Sequence, residues 1–510
     1  MAASTKKYFR KFCFFSLCLL SFITFVCIVR TLSLSEHTDH ETVETKSYEL
    51  AIKADEKRLK RFQEALRFKT ISFSSEKNSP DELIAYTQFI KKSYPNIHNN
   101  PGVQHEVVNN YSLLYKVQGT DTSLKPYLLC AHLDVVPIDG QEWNQPAFEG
   151  KIVDGYIYGR GALDDKHGLM GILEALEYLL EKGHKFKRTF YVAFGHDEEL
   201  RGVSGAVQIA KLFLSRGLEF EFVLDEGMVV TDAVMTQVPV PVALIGVSEK
   251  GFLTLELSVE YTGGHSSMPD SEGAISILAR AVSKLKDNPQ PSMLGYGPEI
   301  GTLLSTAPKM SFLNRLAIAN VWLFKPIMSW MLSRKPASNA LIRTTTAVTM
   351  FHSGVKSNIL PQSAKAIVNH RVHPAQTLKE VIEYDRQVIN DVRVNITMQD
   401  GDDPHPMSPY DETTFGYQII KKSISTIFQE AVVAPGIMIA NTDTKHYLQF
   451  SKCIYRFRPA HLYLEDLNRI HGKNERISVK NYEQVLNFFM VLMLNGDSST
   501  LRPPHEHGEL

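Results

Sequence analysis

The chain has 510 residues, 44% apolar and 22% charged, with 55 basic against 56 acidic side chains. That length supports a large core and more than one folding unit. Near-neutral charge without long runs of one sign excludes the basic footprint of a nucleic-acid binder, so no nucleic acid is expected as a partner.

At the N-terminus Lys6, Lys7, Arg10 and Lys11 precede an apolar stretch over residues 12–29. This pattern reads as the charged and apolar regions of a secretory leader, and the stretch is also just long enough to cross a bilayer. Ser33 and Ser35 offer a small-x-small cleavage site, with Arg30 lying between the apolar core and that site. Residues 1–35 are therefore read as the signal peptide of a secreted, extracellular protein. A retained single-pass anchor with a lumenal catalytic domain is the alternative. Cys13, Cys18 and Cys27 belong to this leader, while Cys130 and Cys453 sit in apolar surroundings, so no disulfide framework is indicated. Asn110-Tyr-Ser and Asn395-Ile-Thr are glycosylation sequons, usable in a lumenal domain.

Residues 36–52 are polar and suit a linker. A helical pattern carrying Leu59, Phe62 and Leu66 runs from about Asp55 to Thr70. Short apolar runs at 126–131, 189–195 and 220–224 then read as buried strands. Between the first two lies a helix over 168–182, with Leu169, Ile172, Leu173, Leu176, Leu179 and Leu180 on its apolar face. Strand–helix–strand order argues for an α/β fold with a mostly parallel central sheet and helices on both faces. From Gly251 the texture changes. Residues 252–261 alternate as a half-buried strand, 274–285 read as a helix, 344–351 and 364–372 as strands, 378–388 as a helix and 392–398 as a strand. That βαββαβ order predicts an inserted ferredoxin-like α+β domain over 251–402, a lid or dimerisation unit, itself interrupted by an apolar insertion at 289–340. The catalytic domain comprises 53–250 and 403–496, and 497–510 form a tail.

Five polar clusters punctuate this pattern. His132 and Asp134 lie two apart just past an apolar strand, so their side chains share a face. A neutral imidazole suits zinc, and a nearby carboxylate can fix its tautomer. In Gly159-Arg-Gly-Ala-Leu-Asp164-Asp165 the glycines make a tight entry into a helix, where a carboxylate could bridge two cations or cap the helix. Gly195-His-Asp-Glu198-Glu199 follows directly on a very apolar strand, and adjacent acids repel unless solvent or metal neutralises them. Asp225-Glu226-Gly227 is again placed at a strand exit, and His471 lies in Arg469-Ile-His-Gly-Lys-Asn-Glu475. Singly, each could be an ordinary turn, cap or solvated loop. Clusters at three successive strand exits, where open α/β sheets bind ligands, are hard to explain by solvation and point to a metal site.

In order and spacing, YGRGALDDK, GHDEE, SEKG (Ser248 to Gly251), GHSS, LIRTTTA and RIHGKNE resemble the aminoacylase/carboxypeptidase family of co-catalytic zinc enzymes over roughly residues 55–495. The resemblance implies two Zn2+ per subunit, with His132 and Asp225 on one, Glu199 and His471 on the other, and Asp164 bridging them. It gives Asp134 as the partner of His132 and Glu198 as general base. His265 is the lid histidine that reaches the scissile carbonyl from the partner subunit of a homodimer, and Asn358 and Arg371 hold the substrate carboxylate. The implied reaction is hydrolysis, and in reverse synthesis, of the amide bond of N-acyl amino acids, N-fatty-acyl ones among them. Its small-molecule partners are the N-acyl amino acid, the fatty acid and the free amino acid. The unusually apolar segment 312–332, with Trp322 and Trp330, could line a channel for a long acyl chain, touch a lipid or lipoprotein surface, or pack against the lid or a dimer partner. A zinc exopeptidase cutting dipeptides is the second enzymatic reading, and a metal-binding lipid-associated carrier the non-enzymatic one. Glu198, which ligates nothing in this scheme, speaks against the carrier.

Overall fold

A computed structural model describes residues 2–36, 51–74, 79–232, 237–463 and 465–497. Most of the expected linker, and the tail beyond Asp497, lie outside the described residues.

The apolar runs form the middle of an eight-stranded sheet. Its order is Val103–Val108, Ser112–Val117, Phe190–Gly195, Tyr127–His132, Val223–Thr231, Ile454–Leu462, Val242–Glu249, Val432–Met438. Tyr127–His132 and Phe190–Gly195 are buried at every position, as strands covered on both faces require. The sheet is parallel around Tyr127–His132, and the hairpin at one edge and the Arg456–Gly246 contact are antiparallel, so the whole is mixed. The helices Lys166–Glu181, Phe415–Ile427 and Val479–Gly496 cover one face, and Ala206–Ser215 the other. Strand 223–231 departs from expectation. It begins at Val223 and runs on through Asp225 and Glu226 instead of ending before them. Its ladder with Ile454–Leu462 breaks between the Arg456–Asp225 and Phe457–Met228 pairs. A bulge there, with Gly227 at φ 138°, frees the acidic pair in mid-strand as a strand end would have done.

The alternating strand Gly251–Glu260 sits in a four-stranded antiparallel sheet of order Thr345–Ser353, Ser363–Val372, Gly251–Glu260, Asn395–Asp402. Helices Ala274–Asp287 and Leu378–Ile389 pack on it around Leu253, Leu255, Leu257 and Val368. Its last strand starts three residues later than expected, and Val392 stands fully in solvent. The apolar insertion does not rest on this sheet. Helix Glu299–Thr306 lies on the edge strand Val432–Met438, with Thr302 Oγ1 donating to Pro435 O at 2.6 Å. Leu303, Ala307, Met310, Ile318 and Met328 share a core with Val242, Leu244 and Ala434 of the large sheet.

The catalytic unit is closed by its own ends. Buried Asn487, on the C-terminal helix, accepts from Ile52 N at 3.0 Å and donates to Ile52 O at 2.7 Å. Asn487→Leu strands both backbone groups in a dry site, and is expected to cost about 1–3 kcal/mol. Urea unfolding of the purified protein should show the lower midpoint, and an unchanged midpoint contradicts the clip.

Candidate metal centre

The strand Tyr127–His132 delivers His132 to its C-terminal edge, where the imidazole is almost wholly buried. Nδ1 donates to Asp134 O at 2.9 Å, which turns Nε2 toward Asp164 Oδ1 at 3.0 Å. Asp164 Oδ2 lies 3.0 Å from His471 Nε2, and His471 Nε2 is 3.3 Å from Glu199 Oε2. One carboxylate thus faces two imidazoles with its two oxygens. Glu226 Oε1 approaches His132 Nε2 at 3.5 Å. Ligand atoms of His132, Asp164 and Glu199 all lie within 4.8 Å of one another, as do those of His132, Asp165 and Glu226.

Asp134 does more than orient His132. Its Oδ1 accepts from Glu198 N at 3.1 Å, and its Oδ2 accepts from Glu199 N at 3.2 Å and from Ser72 Oγ at 2.8 Å. The short turn Glu198–Leu200 is therefore fixed by the residue beside His132. A second clamp joins the Asp164 and His471 loops. Glu475 Oε1 accepts from Leu163 N at 2.6 Å and Asp164 N at 3.0 Å, and its Oε2 accepts from Arg160 Nη1 at 2.6 Å. Arg160 and Gln141 donate to His471 O at 3.3 and 2.9 Å, holding His471 at φ 58°, in the left-handed region. The Asp164–Asp165 peptide is cis. Asp165 stands at the cap position of Lys166–Glu181 but makes no capping bond. It lies over Gly168, where an added Cβ would come 2.5 Å from Asp165 Oδ1.

The cluster is strongly negative and mostly dry. Burial pushes Asp165 and Asp225 up to about 7, and burial, then the neighbouring carboxylates, raise Glu198 well above the usual range. Glu199 is raised by burial and by Asp164. Asp164 is the exception: burial favours its neutral form, but Arg458, His132 and His471 outweigh it and hold the carboxyl well below its ordinary value. The hydrogen bonds that His471 donates to Asp164 and Glu199 lift its imidazole to about 10. Glu199 Oε1, Asp165 Oδ1 and Asp225 Oδ2 are buried without a hydrogen-bond partner. Converging carboxylates and imidazoles with orphaned oxygens are what divalent cations of the zinc kind require, so the donor set fits.

Of the residues expected from sequence, His132, Asp134, Asp164, Glu198, Glu199 and His471 come together here. Asp225 is buried close by and feels the charge of His132, but the carboxylate against His132 is its strand neighbour Glu226. The lid residues stand apart from the cluster. His265 is exposed with Nδ1 2.7 Å from Ser267 Oγ, and Asn358 O accepts from Ser266 N at 3.3 Å. Arg371 Nη1 donates to Asn441 Oδ1 at 2.8 Å. Sequence reasoning missed Glu226, Arg160, Glu475 and above all Arg458. The Arg458 guanidinium is buried, 3.0 Å from Asp164 Oδ1, 3.5 Å from Asp165 Oδ1 and paired with Glu226. Two arginines alternating in an apolar strand, Arg456 and Arg458, were the available signal, since a buried guanidinium demands carboxylates.

An α/β domain with a lid, and an acidic histidine cage at its strand ends, defines a metal-dependent hydrolase. The chain belongs to the peptidase family M20/M25/M40, whose model matches residues 128–495. It is 45% identical over 457 residues to the N-fatty-acyl-amino acid synthase/hydrolase PM20D1 of Xenopus tropicalis, covering 90% of this chain and 89% of that protein. It is 42% identical to the probable carboxypeptidase S-like 2 of Dictyostelium discoideum, covering 85% and 84% of the two chains. The M20 family metallo-carboxypeptidase Sso-CP2 of Sulfolobus solfataricus shares the fold, with TM-score 0.61 at 19% identity over 87% of this chain and 99% of that one.

Arg458 supplies positive charge that bound cations would also supply. Arg458→Met should therefore lower the melting temperature much more in chelator-treated protein than in protein saturated with zinc. Equal losses in both would contradict this division of charge.

Proposed function

We propose that the chain hydrolyses, and in reverse forms, the amide bond between a fatty acyl group and an amino acid, using two zinc ions per subunit. The observation that carries the two-metal reading is Asp164, whose oxygens each lie 3.0 Å from a different imidazole. In this reading His132 and Asp225 would hold one cation, Glu199 and His471 the other, and Asp164 both. The approach of Glu226 to His132 supports it as a further carboxylate for the first cation. When bound, such a pair polarises a carbonyl and acidifies water.

The chain's own groups do the rest. Glu198 accepts a proton from the attacking water and delivers it to the departing amine nitrogen, and burial raises the proton affinity this exchange needs. Asp134, through two backbone N–H groups, keeps Glu198 and Glu199 pointed into the site. In synthesis the same carboxyl takes the proton of the attacking amine and returns it to departing water. Arg371 and Asn358 would bind the substrate carboxylate, and His265 of a second copy would reach the scissile carbonyl. Such a homodimer through the lid is supported by the edge strand Thr345–Ser353, which leaves Val348, Met350 and Phe351 exposed. The active domain faces the lumenal or extracellular side, a reading supported by the leader and by Asn110 and Asn395, both exposed. The likeness to a carboxypeptidase-like relative favours one second reading, an exopeptidase on dipeptides.

Glu198→Gln is expected to retain its zinc while losing about a hundred- to ten-thousand-fold in kcat for cleavage and synthesis alike. A variant with normal turnover removes Glu198 as the base. Among substrates ranging from N-acetyl to long-chain N-acyl amino acids, with dipeptides as comparison, long-chain compounds should give the highest kcat/KM. Chelation should abolish the activity and zinc restore it. Preference for dipeptides selects the exopeptidase.

A further inference from the structure

The N-terminal helix Ala2–Glu36 carries an apolar run, Lys11–Leu34, long enough to span a bilayer. Along most of it the side chains are bare: Phe12, Phe14, Phe15, Leu17, Phe22 and Phe25 are all exposed. The last part is different. Ile23, Cys27, Thr31 and Leu34, one stripe at helical spacing, turn toward the apolar insertion, and Cys27 and Thr31 are buried against it. The contact is specific. Asn320, at the break between helices Phe312–Ala319 and Val321–Leu332, is wholly buried and donates through Nδ2 to Cys27 O at 3.1 Å and Leu316 O at 2.9 Å. Arg30 Nε donates to Ala319 O at 3.0 Å, meeting a carbonyl at the end of the first of these helices. Removing the leader at Ser33 or Ser35 would uncover the asparagine and leave that carbonyl without its arginine.

Among the described residues, the far side of the same helix pair has no partner. Trp322, Leu323, Ile327, Trp330 and Met331 form one exposed apolar face on Val321–Leu332, joined by Phe312 and Leu313 from the preceding helix. Cations rim it: Lys325 Nζ lies 4.0 Å from the Tyr296 ring centre and the Arg334 guanidinium 4.7 Å from that of Trp330. Soluble monomers rarely carry so continuous an apolar patch. From Phe12, about 20 residues at about 1.5 Å each cross the hydrocarbon core and bring the helix to the water interface near Thr31. That is the level at which the insertion docks, and aromatic rings rimmed by Lys and Arg are what such an interface favours.

We propose that the N-terminal helix is retained as a membrane anchor, and that the helix pair 312–332 lies beside it with its Trp322/Trp330 face immersed in the lumenal leaflet of the bilayer. The occupant of this face is membrane lipid. The helix and the docked pair form one seat, which holds the catalytic unit at the surface into which long-chain amphiphiles partition. This assignment concerns attachment and holds whichever amide the enzyme cleaves.

The test uses the full chain made in secretory cells. Mass analysis of the mature protein should recover peptides from residues 12–34, and the protein should stay with membranes through alkaline carbonate. The protein has three tryptophans, one of them Trp143, in the catalytic domain. Reconstituted into phosphatidylcholine vesicles with brominated acyl chains, the parent should lose most of the emission of Trp322 and Trp330. The Trp322→Phe/Trp330→Phe variant should lose almost none of what remains. A mature N-terminus beyond Ser33, release by carbonate, or equal quenching in both proteins overturns the proposal. So does an unquenched parent that forms dimers through this face.

Discussion

A single carboxylate organises the centre. Asp164 is approached by an imidazole from the strand Tyr127–His132, an imidazole from the loop after Ile454–Leu462 and a guanidinium from that strand itself. These segments are separated by some three hundred positions in the chain, and they meet because their strands run parallel on either side of Val223–Thr231 and end at the same edge of the sheet. Burial alone would drive Asp164 to its neutral form, yet the three cationic or protonatable neighbours keep it ionised. At the remaining acids, Glu198, Glu199, Asp165 and Asp225, burial outweighs the nearby cationic groups, and each is pushed toward protonation. The site is therefore built around a deficit of positive charge, which is the condition under which divalent cations bind.

Holding so many like charges together requires rigid backing, and the fold provides it through buried ion pairs behind the centre. Arg160 and Glu475 lock the Asp164 loop to the His471 loop. On the lid side, Arg456 binds Glu249 at 3.0 Å, Glu249 accepts from Asn441, and Asn441 accepts from Arg371 on the lid strand Ser363–Val372. That chain of contacts couples the lid to the catalytic sheet through hydrogen-bonded side chains. A change at Arg371 thus acts on the backing of the centre as well as on any ligand in front of it.

Much of this is legible in the sequence, and for a physical reason. Fully apolar runs such as 127–132 and 190–195 must be covered on both faces, so polar residues placed directly after them stand at a sheet edge. The half-buried alternation of Gly251–Glu260 announced the lid in the same way. What stayed hidden was non-local. A bulge at Glu226–Gly227 lets the strand run on while still presenting an acidic pair, and no local pattern shows that Glu226 joins Asp225 there by coming against His132. The backing residue Glu475 lay within the RIHGKNE run, but its partners are more than three hundred residues away. The insertion's composition marked it as unusual, yet its seat on Val432–Met438 depends on a fold-level neighbour that no local pattern encodes.

The proposed chemistry requires two cations that share Asp164. Anomalous diffraction at the zinc edge from crystals of the zinc-loaded protein tests it most directly. Two peaks should flank the Asp164 carboxylate, one beside His132 and its neighbouring acids, the other beside Glu199 and His471. A single peak, or peaks remote from Asp164, would contradict it.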